Sequence, residues 1–129
     1  MDPETAKGLI DSYVGGWRDG DRERILQTLD GGCVVVESYG PVYRGAARVG
    51  QWIDAWFGEG NTVDAWEVTS LFVGGSRAAF EWRFECTYRG ERAAFEGASV
   101  VEFSEGKIAR LREYCTTEDL YEWEGEWRA

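Results

Sequence analysis

Apolar positions along this chain follow two rhythms. From Thr5 to Asp19, Leu9, Tyr13 and Trp17 recur every four residues and Ile10 and Val14 widen the stripe, which predicts a helix with one buried face. Gly15 and Gly16 inside it cost about 1 kcal/mol each relative to alanine, which points to the close approach of another backbone or a bend. Gly20 ends the helix, and Asp21 is placed to cap a short second one carrying Ile25, Leu26 and Leu29. Cys33 to Tyr39 reads as a short strand closed by Gly40-Pro41. After Gly45, the spacing of Val49, Trp52, Ile53, Trp56 and Phe57 predicts a third helix with a large aromatic face. From Thr62 onward the period falls to two, broken by Gly74-Gly75, Arg89-Gly90 and Glu105-Gly106. Four long strands in an antiparallel meander, preceded by helices, predict an α+β domain with the helices on one face of a curved sheet.

If each break is a tight two-residue turn, the strand register follows. Ser99 then lies opposite Arg112, and Gly97 lies between Trp82 and Tyr114. One face collects Leu71, Val73, Phe80, Trp82, Phe84, Phe95, Val101 and Ile108 and receives Glu67, Arg112 and Tyr114 among them. The other pairs Arg83 with Glu96 and Arg77 with Glu102 and carries Trp66, Val68 and Phe72. Such a charge lattice is a solvated surface, and its aromatics make it a candidate homodimer interface through the sheet. A concave apolar face with a few polar groups has the make-up of a pocket for a small hydrophobic molecule.

Composition narrows the chemistry. The 129 residues suffice for one domain, taken as 1–129 with an acidic, aromatic tail over 117–129. The tail's two tryptophans and tyrosine favour an ordered segment over the pocket mouth or on a partner subunit. A net charge of −10 without any basic cluster argues against nucleic acid and anionic membrane surfaces as partners. No apolar run is long enough to span a membrane, and the N-terminal residues lack the pattern of a signal peptide, so a cytoplasmic location is expected. Cys33, Cys86 and Cys115 read as reduced, packed thiols. There is no histidine. Nucleophile systems that need His and His-rich metal sites are thereby excluded, and no metal or cofactor is expected. Proton chemistry falls to Glu, Asp, Tyr, Lys or a perturbed Cys.

The helix, the DGD turn, the strand ending near Gly-Pro, the YRG before the third helix and the closing GKIARLREY together resemble the nuclear transport factor 2-like superfamily. Within it, the chain is similar to the SnoaL-like polyketide cyclase and ketosteroid isomerase groups over roughly residues 5 to 116. The resemblance implies a cone-shaped α+β barrel, with three N-terminal helices packed on a curved, mostly antiparallel sheet. Laid against ketosteroid isomerases without a gap, the segment from Tyr13 to Gly40 puts their oxyanion-hole tyrosine on Tyr13 and their general base on Glu37. Their second oxyanion donor falls on Ser99. The epoxide hydrolases of the superfamily use an Asp-Arg-Asp arrangement whose aspartates have no counterpart among the strand positions here.

These readings give Glu37, Tyr13 and Ser99 as candidate catalytic residues. Trp17, Trp52, Trp56, Glu67, Trp82, Phe95, Arg112 and Tyr114 are the candidate substrate contacts. Two states of Glu37 stay open: a base on an apolar wall with a raised pKa, or a charge held by Arg44 or Arg112. The implied activity is a cofactor-independent isomerase, cyclase or lyase acting by proton transfer on a carbonyl compound. The alternative is a non-catalytic ligand-binding or dimerisation module.

Overall fold

A computed structural model describes residues 1–128. The first helix, α1, runs Pro3–Asp19, with Asp2 as its N-cap and Gly20 closing it in the left-handed region. The close approach expected at the glycine pair is made by the second helix, α2 (Arg22–Gln27): a Cβ on Gly16 would sit 2.7 Å from Ile25 Cγ1 and 3.1 Å from its main-chain nitrogen. Strand β1 (Leu29–Val36) ends one residue before Glu37, and a three-residue strand, β2 (Val42–Arg44), returns beside it. Helix α3 (Ala46–Gly58) follows, then the meander β3 (Thr62–Gly74), β4 (Arg77–Tyr88), β5 (Glu91–Ser104) and β6 (Lys107–Cys115). The six strands form one sheet in the order β2-β1-β6-β5-β4-β3, antiparallel except where β1 runs parallel to β6. The three helices cover one face of this curved sheet, as a cone-shaped α+β fold requires.

The β4–β5 hairpin follows the predicted register throughout, from Arg77 opposite Glu102 to Tyr88 opposite Glu91. Its turn, Arg89-Gly90, has positive φ at both residues, as does Glu105-Gly106 in the next hairpin. The first hairpin differs: Gly74 pairs with Arg77, and the turn is Gly75-Ser76.

Two strands depart further, and both departures move site residues. In β3 the register shifts between Val68 and Ser70 and again between Val63 and Ala65. Trp66 therefore stands opposite Phe84 on the helix side, while Glu67 stands opposite Arg83 on the outer side. This corrects the predicted faces of Trp66, Val68 and Glu67. Burying an indole stabilises by about 2 kcal/mol or more, whereas burying a carboxylate without a partner is costly, so a bulge that exchanges them is favoured. In β6 the register shifts next to Ala109, turning Leu111 into the core opposite Val101. Every residue beyond it changes face, so Glu113 points inward while Arg112 and Tyr114 point outward.

The tail from Thr117 carries no regular element and is exposed. Thr116 to Leu120 border a groove on the outer side with Glu67, Arg83 and Glu96. Trp123 and Trp127 pack on each other at 5.3 Å. No helix among the described residues is long and apolar enough to cross a membrane.

Candidate active site

Between the helices and the curved sheet lies a cavity of about 570 Å³. Its wall is mainly aromatic, and its polar groups are few. The stripe of α1 supplies Tyr13 and Trp17, one turn apart and both buried. The stripe of α3 supplies Trp52 and Trp56. The sheet supplies Trp66 from β3, Trp82 and Phe84 from β4, Phe95 from β5 and Glu113 from β6. Glu37 enters from the loop joining β1 to β2, a loop tightened by Glu37 N–H donating to the Pro41 carbonyl and Gly40 N–H donating to the Glu37 carbonyl.

Glu37 is held by a phenol and not by an arginine. The Tyr43 hydroxyl donates to Glu37 Oε1 at 2.6 Å. The Tyr43 ring stacks on Trp52 at 4.2 Å and 6°, and Trp52 packs on Trp17 at 4.6 Å. Three aromatic side chains thus fix the carboxylate and leave its second oxygen uncommitted. Burial raises the Glu37 pKa, and the Tyr43 hydrogen bond, which favours the charged form, opposes that rise.

Glu113 completes the site. No side chain or main-chain donor among the described residues hydrogen-bonds its carboxyl. Burial first, and the charge of Glu37 second, push its pKa up to about 8, so it is mostly protonated at neutral pH. Tyr13 has a hydroxyl without a hydrogen-bond partner, and burial raises its pKa well above the ordinary phenol value, with Glu113 and Glu37 adding to the shift. The Trp17 indole lies near enough to act the other way without forming a hydrogen bond. The indole N–H groups of Trp17, Trp56 and Trp66 are also buried and unpartnered. One apolar space is therefore lined by a tightly held carboxylate, a protonated carboxyl and residues whose buried donors have no partner.

Of the residues chosen from sequence, Glu37, Tyr13, Trp17, Trp52, Trp56, Trp82 and Phe95 all line this cavity. Ser99 does not. It is fully buried behind Trp82, whose indole N–H donates to Ser99 Oγ at 2.9 Å. The room left by Gly97 is filled by the same indole: a Cβ there would sit 2.5 Å from the Trp82 ring and 2.3 Å from the Tyr114 carbonyl. Glu67, Arg112 and Tyr114 are corrected to the outer side, where the Arg112 guanidinium lies 4.8 Å over the Tyr114 ring.

Sequence reasoning missed Glu113, Tyr43 and Trp66 as wall residues. A signal for the three register shifts was present. Val63 to Trp66, Val68 to Leu71 and Ile108 to Leu111 are each three apart, an odd step that a straight strand cannot place on one face.

Comparison with known proteins agrees with this architecture. No curated protein matches the chain in sequence. Among solved structures, an LEH-like epoxide hydrolase from M. tuberculosis is similar at a TM-score of 0.79 and 16% identity, covering 88% of this chain and 84% of that one. A ketosteroid isomerase-like protein from Catenulispora acidiphila, solved with trimethylamine, gives 0.74 and 13%, covering 88% and 86%. A candidate polyketide cyclase from Xanthomonas campestris gives 0.72 and 20%, covering 86% and 90%. The SnoaL-like domain family matches residues 10–111, from the middle of α1 to the inward-facing Leu111 of β6, and the chain belongs to that nuclear transport factor 2-like family.

Proposed function

We propose that this protein is a cofactor-independent isomerase, cyclase or lyase that moves a proton on a small hydrophobic carbonyl compound bound in the cone. The observation that carries this reading is the meeting of Glu37, Glu113 and Tyr13, whose buried hydroxyl has no partner, in the wall of one aromatic cavity. In the proposed reaction, the substrate carbonyl oxygen accepts hydrogen bonds from Tyr13 and from protonated Glu113. The free oxygen of Glu37 takes a proton from the carbon next to that carbonyl, and the electron pair moves onto the oxygen as an enolate. Return of the proton from Glu37 to a different carbon completes an isomerisation. Attack of the enolate carbon on a second carbonyl of the same molecule, with proton delivery to the new alkoxide, completes an aldol-type closure. Glu113 here takes the second donor role that the resemblance assigned to Ser99, and a carboxylic acid is the stronger donor. No arginine is among the described residues that line the cavity, which disfavours water activation by an Asp-Arg-Asp arrangement.

A panel of cyclic ketones incubated in D₂O tests this reading, with exchange of the protons next to the carbonyl followed by NMR. Exchange should fall roughly 10²-fold or more in Glu37→Gln and by a similar factor in Tyr13→Phe. Ketones that quench tryptophan fluorescence yet exchange no faster than in buffer would replace the enzyme with a binding module. The same reading takes the outer sheet face as a homodimer surface, supported by the exposed Phe72, Val100 and Tyr114. Sedimentation should find a dimer for the native chain and a monomer for Phe72→Glu.

A further inference from the structure

Among the described residues, no ion pair forms at the carboxyl groups of the cavity. Glu37 and Glu113 line its depth and Glu59, at the end of α3, lines its exposed rim, while no lysine or arginine is among the lining residues described. Arg18 donates to the Trp66 carbonyl at 3.2 Å and Arg89 lies 5.1 Å over Tyr88, while Arg44, Arg110 and Arg112 border a second, outer pocket with Glu37 and Glu113 and pair with neither. The rest of the wall is largely tryptophan, tyrosine and phenylalanine. Aromatic faces carry negative quadrupole charge, so a wall of them beside carboxylates is attractive to a desolvated cation and repulsive to an anion.

A second set of groups limits the ligand further. Tyr13 Oη and the indole nitrogens of Trp17, Trp56 and Trp66 are buried donors with no partner in the protein. Buried donors are normally satisfied, and a carbonyl oxygen reaching any of them would supply the missing acceptor. A cavity of about 570 Å³ admits a molecule large enough to present both features.

We infer that the substrate is an organic cation, a hydrophobic amine or quaternary ammonium compound that also carries the reacting carbonyl, with its positive charge held between the aromatic wall and the Glu37 carboxylate. This deepens the proton-transfer reading and rests on it for the carbonyl, whereas the charge preference rests only on the lining of the cavity. Burial first, and the Glu37 charge second, keep Glu113 protonated as the neutral donor to the carbonyl, which leaves Glu37 as the counter-charge.

The test uses a matched pair of probes: benzyltrimethylammonium and its neutral carbon isostere, (2,2-dimethylpropyl)benzene, with phenylacetate as the anionic control. Each is titrated into the full chain at pH 7.5 and followed by tryptophan fluorescence. The ammonium should bind at least about tenfold more tightly than the isostere, and phenylacetate more weakly than both. The ammonium preference should shrink severalfold in Glu37→Gln, with unchanged circular dichroism, and persist in Glu67→Gln on the outer side. Equal or tighter binding of the isostere or of phenylacetate overturns the inference. Ketone proton exchange by the native chain, measured separately on neutral ketones, can succeed while this charge preference fails, so the two readings are distinguished.

Discussion

The two faces of the sheet use the same residue types to opposite ends. On the outer face, Glu96 and Glu102 stand across from Arg83 and Arg77, with ion pairs of 4.0 and 3.1 Å in solvent. On the inner face, Glu37 and Glu113 stand among tryptophans, one held by a phenol and the other by nothing. Water outside screens each charge, so a glutamate there costs little and contributes little. Inside, low polarity and a like-charged neighbour raise the cost of ionisation and push a glutamate toward its protonated form. The chemistry of a carboxylate here is thus set by the face it occupies, and the bulges set the face.

The strongest way to break this contrast is to neutralise one carboxylate on each side. Glu37→Gln should lower ketone exchange by about 10²-fold or more, whereas Glu96→Gln should leave it unchanged, as read by NMR. Next is the pH dependence of stability. The folded Glu113 pKa of about 8 lies above its ordinary value of 4.5, so the folded state favours the protonated form. Its contribution is fully present below about pH 4.5 and is lost as pH rises toward 8, a change on the order of a few kcal/mol. Thermal unfolding should therefore show Glu113→Gln more stable than the native chain at pH 9, with the difference shrinking toward pH 5. Smaller again is Ser99→Ala. It strands the buried Trp82 N–H and should cost about 1–3 kcal/mol in denaturant unfolding, while exchange falls far less than in Tyr13→Phe. Arg83→Ala on the outer face should change stability by no more than about 0.5 kcal/mol.

Much of this contrast was legible before any coordinates. The period-four stripe of α1 carries Tyr13 and Trp17, and that of α3 carries Trp52 and Trp56; both stripes line the cavity because a helix has one apolar face to bury. The β4–β5 hairpin, with a positive-φ turn at Arg89-Gly90, kept its predicted register and so put Trp82 and Phe95 on the inner side. The family resemblance placed Tyr13 and Glu37 on one cavity.

The amino-acid order was thus enough for the element types, the helix-on-sheet architecture and half of the wall, because those follow from local periodicity and turn chemistry. It was not enough for the partners of the charges. Whether Glu113 or Arg112 faces the cone depends on one extra residue at Ala109, and whether Trp66 or Glu67 does depends on shifts in β3. Side chains alternate with period two, so a single bulge inverts everything beyond it. Where a bulge forms is settled by competition among distant groups for the core, by Leu111 against Val101 and Trp66 against Phe84. That competition exists only once the sheet has curved around the helices.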